Sequence, residues 1–131
     1  MKAPAKIGTL GEQKFVVSEQ HVIDFAHDGM PAILSTPWLI WFLEHAARNA
    51  MLPLLETGES TVGVVVDVEH IAATPLGAEV VCLARVIYAD GSLISFQLEA
   101  RDEHEQIARG THKLRVIDAA RLARKVQQKM G

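Results

Sequence analysis

Glu44 stands in the most apolar stretch of the chain, flanked by Trp41, Phe42 and Leu43. A carboxylate removed from water must be paired, hydrogen-bonded or protonated. Burial also raises its pKa toward the range in which acid/base chemistry runs at neutral pH. A plainer account places Glu44 in a polar stripe with His45 and Arg48, since Glu44 to Arg48 is the favourable i, i+4 order for an ion pair. Periodicity alone weighs the two accounts evenly. His70 alternates with Val62, Val64, Val66 and Val68, which predicts an imidazole pointing into an apolar layer. A histidine so placed is more often a core residue than a catalyst. Thr36 precedes Pro37 where the apolar stretch begins. Its hydroxyl either caps a helix or faces a substrate at a helix N-terminus, where developing negative charge is favoured.

Other candidates carry less. His112 falls on the apolar face of a late strand and reads as structural, or as a positioning partner. His21, His27 and His104 fall in loops or turns without metal-ligand spacing. Cys82 is the only cysteine, which excludes an intrachain disulfide and a cysteine-based zinc cluster. No H-x-x-x-H, G-x-S-x-G, P-loop or dinucleotide fingerprint is present, so the zinc, serine-hydrolase, NTPase and nicotinamide classes lose support.

The elements that must position these residues follow from pattern. A helix starts at Thr36-Pro37, is apolar on nearly every side, and meets Pro53 at its end, which predicts a buried helix. Beyond Ser60 the period changes. Strands are predicted over 61–72, 78–89, 93–102 and 106–117, with Asp90-Gly91 as a hairpin signal. An earlier strand is predicted over 14–17, after a loose lead in which Gly8 and Gly11 bracket a turn. Residues 18–35 read as irregular or short-helical. Asp118 is placed to cap an amphipathic helix over 119–130. The order describes an α+β chain, one domain over residues 1–131, in which about five antiparallel strands wrap one long buried helix and a C-terminal helix follows. That is the hot-dog fold. Its unpaired edge and partly covered face predict a homodimer, with a dimer of dimers as the larger option.

The length of 131 residues is enough to bury a core without metal or disulfide, and 49% hydrophobic content excludes disorder. A net charge of −3 lacks the basic stripe that nucleic-acid binding requires. The stretch from Trp38 to Leu55 carries Glu44, His45 and Arg48, which argues against a membrane span. No apolar run follows Met1-Lys2-Ala3-Pro4, so a secretory leader is not expected and a cytoplasmic setting is.

Three segments together resemble the fluoroacetyl-CoA thioesterase family. They are Ser35-Thr36 with Glu44-His45-Ala46 and the Met51 to Glu59 run, then Gly63 to Gly77 with its His70-Ile71-Ala72-Ala73-Thr74-Pro75 core, and Gly110-Thr111-His112. The resemblance implies hydrolysis of a small acyl-CoA thioester by Thr36, Glu44 and His70. Glu44 would act as base or nucleophile, His70 would transfer the proton, and Thr36 would orient substrate or water. Gly63 would let substrate approach the backbone. No metal or redox cofactor is implied, and coenzyme A enters as part of the substrate. Two departures point away from fluoroacetyl selectivity. Leu114 stands where the fluoroacetyl-specific member has an arginine, and the loop before the helix is shorter, with only Phe25 as an aromatic residue. A non-catalytic acyl-CoA or small-acid binding protein on the same fold is the competing expectation.

Overall fold

In the computed structural model, which describes residues 1–25 and 28–131, five strands form one antiparallel sheet. They are β1 (Leu10–Val16), β2 (Glu59–His70), β3 (Glu79–Asp90), β4 (Leu93–Arg101) and β5 (Gln106–Asp118). Their order across the sheet is β1-β3-β4-β5-β2. Helix α1 (Thr36–Met51) lies against one face, chiefly on β1 and β3, and α2 (Ala119–Met130) ends the chain. This is the expected hot-dog arrangement. His27 lies outside the described residues. Among those described, no helix is long and apolar enough to cross a membrane.

Alternation builds the sheet's inner face. Val80, Cys82, Ala84 and Val86 of β3, with Ile94, Phe96, Leu98 and Ala100 of β4, are essentially inaccessible to solvent. They meet Leu39, Leu43, Ala46, Ala47 and Met51 of α1. Burial pushes the Cys82 thiol up to about 12, so the lone cysteine is inert at neutral pH. Asp118 caps α2 as expected, accepting from the Arg121 amide at 2.8 Å.

Three local expectations are corrected by packing. Gly11 is no turn residue. It lies inside β1, where a Cβ would run into the Ala46 carbonyl oxygen and the Ala50 amide of α1. The absent side chain lets helix and sheet touch backbone to backbone, while Gly8, at φ 94°, makes the turn. Gly11→Val should therefore lose about 1–3 kcal/mol through overpacking, seen as a lower thermal midpoint. His21 lies in a turn, as expected, but not at the surface. It is buried in a 3-10 turn (Glu19–His21), its Nδ1 accepting from the Ser18 amide at 3.1 Å, with its ring edge-on to Phe15, Trp38 and Phe42. Finally, α1 is not buried all round: Trp41 remains 45% exposed on the side the sheet does not reach.

The sheet has an open flank. Among the described residues strand β2 pairs only with β5, and its Val64, Val65 and Val66 are 49%, 45% and 37% exposed. Three consecutive exposed valines on an edge strand form an aggregation-prone surface unless another strand covers them.

Candidate active site

The alternation that placed His70 with four valines breaks midway along β2. The register with β5 shifts between Gly63 and Val65, so Val62 lies opposite outward-facing Arg115 while Val66 lies opposite buried His112. Val62 therefore points away from the face shared by Val66, Val68 and His70. The bulge adds one residue and turns both Gly63 and Val66 toward the helix side.

His70 meets Thr36 there. Thr36 Oγ1 and His70 Nδ1 are 2.8 Å apart, although 34 residues separate them in sequence. The hydroxyl does not cap the helix, since Ser35 holds the N-cap position and no side chain bonds to the first-turn amides. Capping was one local expectation for Thr36, and the tertiary contact replaces it. His70 is half-buried. Its Nε2 is, among the described residues, the only buried side-chain nitrogen or oxygen with no hydrogen-bond partner. Burial lowers the His70 pKa below the ordinary histidine value, opposed in part by the Ala72 backbone. Thr36 and His70 open onto a cleft of about 280 Å³ with Ile23, Ile33 and Leu34.

Glu44 lies elsewhere on the same helix. Just over two turns separate it from Thr36, a rise of about 12 Å. It is half-buried and lines a cavity of about 150 Å³ with His45, Arg48, Thr61, Gly63, His112 and Leu114. A Cβ on Gly63 would stand 3.2 Å from Glu44 Oε1 and 3.5 Å from His112 Cε1, so the glycine keeps the carboxylate close to the strand backbone. His112 Nδ1 donates to the Val65 carbonyl at 2.9 Å, which pins the bulge and supports the positioning reading. His45 Nδ1 donates to the Trp41 carbonyl at 2.8 Å while its ring stacks on Trp41.

The four expected residues thus form two pairs, Thr36 with His70 and Glu44 with Gly63, and the two cavities share no residue. Glu44, His45 and Arg48 line one cavity, as the polar-stripe account expects, but among the described residues Glu44 and Arg48 form no ion pair. Sequence reasoning named Arg48 only as a surface ion-pair partner. Its i, i+4 spacing from Glu44 was the available signal that both share the cavity.

The sequence profile of the fluoroacetyl-CoA-specific thioesterase family matches residues 17–120. The chain is 31% identical over 137 aligned residues to the fluoroacetyl-CoA thioesterase of Streptantibioticus cattleyicolor, covering 98% of this chain and 97% of that protein. A solved mutant of the fluoroacetyl-CoA thioesterase in complex with acetyl-CoA superposes with a TM-score of 0.89 at 29% identity, over 96% of this chain and 99% of the other. A thioesterase superfamily member from Thermus thermophilus superposes with a TM-score of 0.86 at 26% identity, over 97% and 96% of the two chains.

Proposed function

The chain belongs to the fluoroacetyl-CoA-specific thioesterase family, and from that premise we propose that it hydrolyses small acyl-CoA thioesters with Thr36, Glu44 and His70. One observation carries the residue assignment. Thr36 holds His70 at Nδ1, and His70 Nε2 is left buried and unpaired. An unpaired buried nitrogen costs about 1–3 kcal/mol, a cost that a substrate or a second catalytic group would remove.

That second group is Glu44 of another copy. Within one chain Glu44 and His70 line separate cavities, and the exposed β2 edge sits between them in sequence. Antiparallel pairing of β2 with the partner's β2 about a two-fold axis near Val66 and Asp67 would bring Gly63 to the same end of the interface as the partner's His70. The same pairing covers the exposed valines. Each homodimer then holds two sites, each built from Glu44 and Gly63 of one chain with Thr36 and His70 of its partner.

The chemistry follows from the groups so arranged. The thioester carbonyl carbon gains an oxygen, either from water activated by Glu44 or from the carboxylate itself, with water then releasing the acyl group. The C–S bond breaks, and the proton given up by the attacking water reaches the leaving thiolate through His70 Nε2, so the imidazole is neutral before and after turnover. Thr36 fixes the imidazole so that Nε2, not Nδ1, faces the reaction. The N-terminal turn of α1, with no side-chain cap, presents its dipole to the developing oxyanion.

Thiol release from acetyl-, propionyl- and butyryl-CoA tests the reading directly, and the protein should hydrolyse at least one well above the background rate. Release from none would leave the binding-protein alternative. The pH profile is a second check. In the single chain burial lowers the His70 pKa, and in the dimer the partner's Glu44 carboxylate opposes that shift, so Glu44→Gln should move the acid limb of the residual kcat/KM to lower pH. An acid limb that Glu44→Gln leaves in place would contradict the assignment.

A further inference from the structure

We propose that Arg48 recognises an anionic group on the acyl chain, so that the preferred substrates are short acyl-CoAs ending in a second carboxylate. The inference rests on the thioesterase reading and extends it to the acyl group.

Arg48 lies one helical turn beyond Glu44 and opens onto the same cavity of about 150 Å³. It is half-buried, and its hydrogen bonds go to neutral partners. Nη1 donates to Ser60 Oγ at 3.2 Å and to Thr61 Oγ1 at 3.5 Å. Among the described residues no carboxylate lies within ion-pairing distance of it; the ion pairs present join other groups. Glu44 is the nearest acid along the helix, yet its Oε1 is turned toward Gly63. The guanidinium is therefore held by two hydroxyls, with no direct ion pair to a carboxylate among the described residues. Both bonds use Nη1, and among the described residues no hydrogen bond engages the Nε and Nη2 edge, a planar pair of donors that matches a carboxylate.

Size and distance limit what reaches it. The cavity of about 150 Å³ is small, which favours a short acyl chain over a long one. The phosphates of coenzyme A are the other anions a substrate brings. They lie at the far end of the pantetheine arm, much further from the thioester than the helix rise of about 6 Å between Glu44 and Arg48. An anion meeting Arg48 while the carbonyl meets Glu44 thus belongs to the acyl side. A second carboxylate beside Glu44 would be repelled without a cation, and Arg48 supplies one.

Thiol release is measured with acetyl-, propionyl-, malonyl- and succinyl-CoA for the wild type, Arg48→Met and Arg48→Lys, each checked for folding by thermal melting. The wild type should prefer a diacid substrate to its neutral counterpart. Arg48→Met should lower the diacid-to-neutral ratio of kcat/KM by about 10- to 100-fold, the range for a bidentate charged contact, with Arg48→Lys between. The same loss should persist on N-acetylcysteamine thioesters, which lack the phosphates. A wild type that favours neutral chains overturns the proposal. So does an Arg48→Met loss that is equal on both classes, or one that vanishes without phosphates. A wild type that cleaves no thioester fails the thioesterase reading instead.

Discussion

Co-expressed Glu44→Gln and His70→Ala chains should regain about a quarter of wild-type activity, although each variant alone is nearly inactive. The number follows from symmetry. Random pairing makes about half of the dimers mixed, and each mixed dimer holds one site with both residues native and one with neither. The two-pair geometry makes this result specific. Thr36 and His70 touch at 2.8 Å, whereas Glu44 lies with Gly63 in a different cavity of the same chain. If Glu44 and His70 of one chain worked together, every site in a mixed dimer would lack one of them, and mixing would restore nothing. Activity that stays at the level of the separate variants, with mixed dimers verified by mass, would therefore return the site to a single chain. Sedimentation of a stable monomer at micromolar concentration would remove the premise.

Glu44→Gln alone should lower kcat/KM by on the order of 10²-fold or more, the range for a positioned acid/base group. The amide keeps volume and most hydrogen bonding, so the loss reports the carboxylate. His70→Ala should lose a comparable factor. The double variant should lose little more than either, because both residues serve one proton-transfer sequence. Thermal stability separates this from a structural role. Glu44 makes no ion pair among the described residues, so Glu44→Gln should leave the melting temperature equal or higher. A structural carboxylate would show the reverse pattern, a lower melting temperature with turnover changed less than about threefold beyond the folded fraction. A folded Glu44→Gln variant with near-normal turnover would remove Glu44 from the mechanism.

Short-range chemistry carried much of the architecture. The alternation of β4 and β5, the Asp90-Gly91 hairpin with Gly91 at φ 59°, the Asp118 cap and the stop of α1 near Pro53 each depend on a few neighbouring residues. Their signals were therefore legible in the sequence, and with them the sheet-around-helix plan and the residue types suited to thioester chemistry. Contacts between residues far apart in the chain decided the rest. A period-2 pattern has no sign for the extra residue between Gly63 and Val65, because the bulge exists only against β5, where His112 bonds the Val65 carbonyl. Thr36 carries a hydroxyl that fits a helix cap equally well, and only the fold brings His70 to it. Gly11 looked like a turn because the helix backbone it admits, at Ala46 and Ala50, comes more than 30 residues later. The sequence by itself determined which groups are available and which elements carry them. Tertiary structure decided which of them meet, because a strand's register and a helix's distance from the sheet are set by packing across the whole core.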